Sequence, residues 1–208
     1  MLIGALLLAA FAFIGTGLVS ATYEATASKI AENERQRLLS TLNALVPASD
    51  YNNAIESDLI HLDAPQLSGQ SPLPIYRARF DGKPVAVVIA STAPDGYAGP
   101  IKLLIGIRYD GELSGVRVIS HKETPGLGDA IEIERSDWLL GFNGKSLENT
   151  PSSGWKVKKD GGIFDQFTGA TITPRIIVKA IYGTLNYYKQ HREAIFATTP
   201  VMNEANHG

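Results

Sequence analysis

The 208-residue sequence contains no cysteine. That absence excludes disulfide scaffolds, thiolate metal sites, iron–sulfur ligation, a cysteine nucleophile and a lipid anchor on cysteine. Neither sign of charge is in excess: 19 Lys and Arg stand against 21 Asp and Glu, a formal net charge of −2. A nucleic-acid binder needs a basic stripe to neutralise phosphates, so no nucleic-acid partner is expected. Charged residues are only 19% of the chain, against about 25% in soluble domains. The shortage is uneven, because residues 1–23 hold no charge and Glu24 is the first. A Walker-type lysine loop, a strand–GxGxxG–helix pattern and internal repeats are also missing.

What stands in place of early charge is a long apolar run, residues 2–19. A helix needs about 20 residues at ~1.5 Å rise to cross ~30 Å of hydrocarbon. Residues 1–23 therefore read as a transmembrane helix. Two other readings fit less well: a cleaved signal peptide ending near Ala25-Thr26-Ala27, and a buried soluble helix. The run exceeds the ~7–15 apolar residues of a signal-peptide core. No Lys or Arg precedes it, so charge bias gives no orientation. An uncleaved helix followed by nearly all the charge is placed most simply with the main domain outside the cytoplasm.

Residues 24–46 read as a juxtamembrane helix: Ala31, Leu38, Leu42 and Leu45 recur near helical spacing, and Pro47 stops it. Residues 47–73 read as loop. Two hairpins follow, residues 75–80 with 85–90 around Asp81-Gly82, and 101–109 with 113–120 around Asp110-Gly111. Residues 85–89 are apolar throughout, so both faces of that strand are expected to be covered. Residues 91–100 form a Gly/Pro loop and residues 121–129 another. Ser136 caps a short helix, and residues 155–159 alternate like a strand. Thr173-Pro174 opens a long helix running to about Phe196. Ile176, Ile177, Ala180, Ile181, Thr184, Leu185 and Tyr188 form its apolar face. The fold class is α+β, with antiparallel hairpins packed against helices over residues 47–200 and a disordered tail at 201–208.

Two segments could carry chemistry. In DQFTGATITP (165–174), four hydroxyls, those of Thr168, Thr171, Thr173 and Thr184, gather near one helix start. Gly169 permits a turn that a side chain would block. The first helical turn offers free N–H groups and partial positive charge, which suits a phosphate. On the residues alone, a threonine-rich helix cap is the stronger reading, with an anion site as the alternative. In HKETPGLGD (121–129), Pro125 and two glycines fix a tight loop, with Glu123 and Thr124 just before it; taken alone it is structural. His121 reads as a satisfied loop residue, Asp129, Glu132, Glu134 and Asp137 as a solvated face, and Trp155, Tyr187 and Tyr188 as packing. Lys156 and Lys158 read as a solvated strand face, although a cation there would also suit a phosphate or a reduced cofactor.

Together the segments have a specific resemblance. Asp165 followed by Thr168-Gly169-Ala170-Thr171 matches the D-x-x-[ST]-G-A-[ST] pattern of proteins that carry FMN on the last threonine through a phosphoester bond. Glu123-Thr124-Pro125-Gly126-Leu127-Gly128 matches the E-T-P-G-L-G loop of the same flavin domain. The chain resembles the G-subunit family of the Rnf (Rsx) ion-translocating electron transport complexes. It is more distantly similar to the C subunit of the sodium-pumping NADH:quinone reductase. The resemblance implies one covalent FMN on Thr171, attached by a separate flavin transferase that uses FAD. It implies Thr168, Gly169 and Ala170 at the phosphate, and Glu123, Thr124, Leu127 and Gly128 along the flavin; Lys156, by its charge and its place before the T-G-A-T loop, is a further candidate cation. Asp165 would serve recognition by the transferase. The chain would relay electrons between ferredoxin and NAD through the other Rnf subunits, coupled to Na⁺ or H⁺ transport. It would be a single-pass protein of the inner membrane with its main domain on the periplasmic side. The alternatives are a stand-alone membrane-tethered flavoprotein reductase and a non-redox extracytoplasmic binding domain.

Overall fold

A computed structural model describes residues 2–68 and 72–197, and the chain separates at residue 40 into two units. The expected tail at 201–208 lies outside the described residues. The first unit is helical. Helix α1 (Leu2–Leu45) is unbroken, so no backbone feature marks the expected change at residue 23. Its early side chains, among them Leu6, Leu8, Phe11, Phe13 and Leu18, are exposed. Among the described residues it is the one helix long and apolar enough to cross a membrane. The Thr22 and Thr26 hydroxyls each donate to a carbonyl one turn back, at 2.8 Å, so neither needs water.

The second unit is built on one antiparallel sheet in the order β1-β2-β3-β4-β5. The strands are β1 (Leu59–Leu62), β2 (Leu73–Phe80), β3 (Lys83–Ala93), β4 (Ile101–Arg108) and β5 (Leu113–Ser120). Asp81 and Gly82 both take positive φ, 49° and 75°, the left-handed pair that matches strand twist in a two-residue hairpin. Side chains alternate across the pleat, so Val87, Ile89, Leu103, Ile105 and Ile107 share one face. Helix α3 (Ile172–Ala197) covers that face with Ile177, Ile181, Leu185 and Tyr188. The opposite face meets the end of α1. Gly106 and Gly115 are cross-strand partners, and a Cβ on either would stand 3.1 Å from a Leu45 side-chain carbon. The paired glycines let the buried Leu45 approach the sheet. Strand β3 is thus covered on both sides, as its unbroken apolar run requires.

Between β5 and α3 the chain is held by short 3-10 turns and aromatic packing. Ser136 accepts the Trp138 N–H at 3.3 Å and caps the turn Asp137–Phe142. Phe142 stacks on Phe164 at 4.2 Å between ring centroids, and Trp155 lies against both Phe164 and Tyr182.

Four expectations are corrected. Residues 47–73 are not all loop, because β1 pairs with β2 at the sheet edge and α2 (Pro65–Ser68) follows it. Residues 155–159 are not a strand: their groups bond locally, Lys158 N–H to the Phe164 carbonyl at 2.7 Å and Gly162 N–H to the Val157 carbonyl at 3.1 Å. Helix α3 starts at Ile172, so Thr171 stands at the cap and Thr173 in the first turn. Asp129 is 7% exposed, not on a solvated face.

Tyr188 yields a test of the core. It is 1% exposed, and its hydroxyl donates to the Tyr109 carbonyl at 3.1 Å. Burial raises its pKa well above that of a free phenol. A folded-state pKa above the unfolded value gives stability that is complete below about pH 10 and eroded above it. Alkaline titration of unfolding is expected to show this loss, with the Tyr188→Phe chain falling less steeply above pH ~10.

Candidate functional site

The two motifs meet at the start of α3. Tyr97, Glu123, Thr124, Leu127, Gly128, Gly169, Ala170, Thr171, Ile172 and Thr173 line one open cleft of about 190 Å³. Glu123, only 5% exposed, joins its walls. The Thr173 hydroxyl donates to Glu123 Oε2 at 2.6 Å, and the Ala98 N–H donates to Oε1 at 3.2 Å. Behind it the Glu123 N–H donates to His121 Nδ1 at 3.1 Å, and the other ring nitrogen, Nε2, lies 2.7 Å from Glu132 Oε1. A nitrogen that accepts carries no proton, so the ring proton sits on Nε2. His121 is the satisfied loop residue expected. The E-T-P-G-L-G loop closes on itself, with the Leu127 and Gly128 N–H groups both donating to the Thr124 carbonyl.

The second wall is the T-G-A-T loop. It is pinned by the Ala170 N–H on the Phe167 carbonyl at 3.3 Å and by Trp138 Nε1–H on the Asp165 carbonyl at 2.9 Å. Asp165 is exposed, and its carboxylate pairs with Lys158 Nζ at 2.6 Å. Gly169 has φ +84°, and a Cβ there would come within 2.9 Å of Leu127 Cδ2. Any side chain would both strain the backbone and fill the space between the loops. Thr171 is exposed on the rim. It stands next to the first-turn N–H groups of Ile172 and Thr173, which have no intrahelical acceptor.

Seven of the nine residues singled out from sequence therefore share this cleft: Glu123, Thr124, Leu127, Gly128, Gly169, Ala170 and Thr171. Thr168 and Lys156 do not line it; both are exposed. Tyr97, 71% exposed, is a cleft residue that sequence reasoning missed. Its only signal is an aromatic residue between Gly96 and Gly99 in an otherwise side-chain-poor loop. Thr173, read as a cap, instead gives its hydroxyl to Glu123. Trp155, Tyr187 and Tyr188 are buried packing residues, as expected. One further ion pair flanks the helix start: Arg175 Nε donates to Asp160 at 2.6 Å, and this contact holds the Asp160 carboxyl below the usual range.

The space matches a phosphate-bearing, partly apolar group. One side offers an exposed hydroxyl at a helix start, and the other offers Leu127 and Tyr97, with glycines where a Cβ would intrude. Comparisons with known proteins agree with this chemistry. The FMN-binding domain family matches residues 96–186, and the RnfG N-terminal region matches residues 1–45. The G subunit of an ion-translocating oxidoreductase complex from Pseudoalteromonas atlantica is 50% identical over 93% of this chain and 91% of its own length. The protein of the same description from Pseudomonas aeruginosa is 48% identical over 95% and 92%, and that from Shewanella baltica 48% over 97% and 95%.

Proposed function

Because this chain belongs to the family of G subunits of ion-translocating oxidoreductase complexes, with an FMN-binding domain, we propose that it carries FMN as a phosphoester of the Thr171 hydroxyl and relays electrons through it. The observation that carries this reading is the position of Thr171: exposed, at the cap of α3, on the rim of the cleft formed by the two flavin-domain motifs. FMN supplies reversible one- and two-electron chemistry, which no side chain of this cysteine-free sequence provides. Thr171 contributes the bridging oxygen. The N–H groups of Ile172 and Thr173 and the helix dipole stabilise the phosphodiester charge. Gly169 and Ala170 keep side-chain bulk away from it, and Leu127 gives the ring an apolar contact.

Threonine is a weak nucleophile that needs a base. The carboxylate in the cleft, Glu123, is already taken up by Thr173 and the Ala98 N–H. In this reading, as the resemblance to the flavin-carrying family implies, a separate flavin transferase makes the bond, moving FMN from FAD onto the hydroxyl and releasing AMP. The tether keeps the cofactor at high effective concentration whatever the surrounding flavin level. The partners of this reading are the other subunits of an Rnf-type complex that passes electrons between ferredoxin and NAD and moves Na⁺ or H⁺. Helix α1 anchors the chain in the inner membrane, with the flavin domain on the periplasmic side. Intact-mass measurement tests the attachment. The full chain is expected to carry one FMN-sized adduct when made with the transferase and none without it. An unmodified chain from transferase-containing cells overturns the assignment.

A further inference from the structure

Resting on the reading that FMN is joined to Thr171, we propose that Tyr97 is the aromatic wall against which the flavin ring packs, and that Glu123 is the positioning residue that holds this wall opposite the attachment loop. A phosphoester fixes only one end of the cofactor, so the ring swings on the ribityl chain unless a surface receives it. Two aromatic groups close to the motifs are committed elsewhere. Trp138 packs edge-on against Phe142 and Phe167, at 5.1 and 5.0 Å, and its indole N–H is bonded to the Asp165 carbonyl. Trp155 is buried. Tyr97 is different: it lines the cleft with Thr171 yet is 71% exposed, a large aromatic surface open to an incoming ring. Aromatic side chains favour offset stacking on flat π-systems.

The position of Tyr97 is set from behind. The residue after it, Ala98, donates its N–H to Glu123 Oε1, and the loop closes through the Gly99 N–H on the Gly96 carbonyl at 3.2 Å. The other oxygen of the same carboxylate holds Thr173, two residues beyond Thr171. One buried carboxylate thus ties the loop bearing Tyr97 to the helix turn bearing the attachment threonine. Its freedom to shift is small. A Cβ at Gly128 would lie 2.7 Å from Glu123 Oε2, and one at Gly96 would lie 3.1 Å from Oε1. At Gly128 the carboxylate itself leaves no room for a side chain, and at Gly96 the Gly99 carbonyl oxygen, 1.9 Å from the Cβ position, is the nearer obstacle.

The test uses the full chain made with its flavin transferase and purified in detergent, as wild type, Tyr97→Ala, Tyr97→Phe and Glu123→Gln. Adduct content is read by intact mass. Ring contact is read separately, by flavin fluorescence yield and polarisation. A tyrosine in contact quenches an excited flavin by reversible electron transfer, whereas phenylalanine stacks without quenching efficiently. Tyr97→Ala is expected to keep the adduct, raise the yield several-fold and lower polarisation. Tyr97→Phe raises the yield but keeps wild-type polarisation, and Glu123→Gln falls between wild type and Tyr97→Ala on both readings. Wild-type yield and polarisation in a fully loaded Tyr97→Ala chain overturn the assignment of Tyr97. The same result in Glu123→Gln overturns the positioning role. Loss of the adduct in Tyr97→Ala alone makes Tyr97 an attachment determinant and also overturns the proposal. A wild-type chain without adduct overturns the underlying FMN assignment instead.

Discussion

Thr171→Ala is expected to lose the FMN adduct completely while keeping the fold. The Thr171 side chain is exposed. The contacts that build the cleft walls run instead through Glu123, Thr173 and Ala98. An exposed substitution of this kind usually changes stability by no more than about 0.5 kcal/mol, with up to ~1 more if its place at the helix cap is used. Removing the hydroxyl, by contrast, removes the atom through which the phosphorus is bonded in the proposed function. Intact mass should show the bare chain, and a denaturing gel should show no flavin fluorescence. Thr171→Ser retains the hydroxyl and should retain the adduct. Covalent flavin in Thr171→Ala would show that another hydroxyl, such as the exposed Thr168, is the acceptor.

The largest effect on stability is expected far from the cleft, at Asp58. Its carboxylate accepts from Arg77 through Nε at 2.7 Å and through Nη2, and from Arg79 Nε at 2.9 Å. Arg77 is 1% exposed. The two arginines also donate to the last carbonyls of α3, Arg77 Nη1 to Ile195 at 2.8 Å and Arg79 Nη2 to Phe196 at 2.8 Å. Carbonyls at a helix end have no intrahelical donors and carry partial negative charge, so the arginines satisfy both needs. Asp58→Asn keeps the shape but removes the negative charge that the Arg77 and Arg79 guanidiniums share, and losing one member of a buried ion pair costs about 3–5 kcal/mol. Denaturant unfolding of the detergent-solubilised chain, followed by far-ultraviolet circular dichroism, should shift by that amount. A change under about 1 kcal/mol would mean that the pair behaves like an exposed one.

The hairpins are legible in the sequence because their signals are local. Asp81-Gly82 and Asp110-Gly111 supply turn chemistry, and the apolar runs beside them have strand length. Strand β1 is not legible: it has four residues at a sheet edge, too few to show an alternation. Residues 155–159 give a false alternation, since Trp155 and Val157 are buried by aromatic packing and not by a pleated sheet. The start of α3 is misplaced because Thr173 looks like a cap from its neighbours alone. Its hydroxyl is claimed by Glu123 fifty residues earlier, and no local pattern records that. The site follows the same logic. Each motif can be read by itself, and their resemblance predicts that they act together. Tyr97 belongs to neither motif, and its loop is tied to the cleft through the Ala98–Glu123 contact.

Every strand of the sheet pairs with its neighbour in sequence. The meander can therefore zip up through short closures of low entropic cost. The bond between Glu123 and Thr173 spans a separation of 50 residues and needs α3 already docked. The cleft is therefore complete only when the last helix is in place. A copy whose last helix has not settled offers a modifying enzyme a threonine in a slack segment, without the apolar wall facing it.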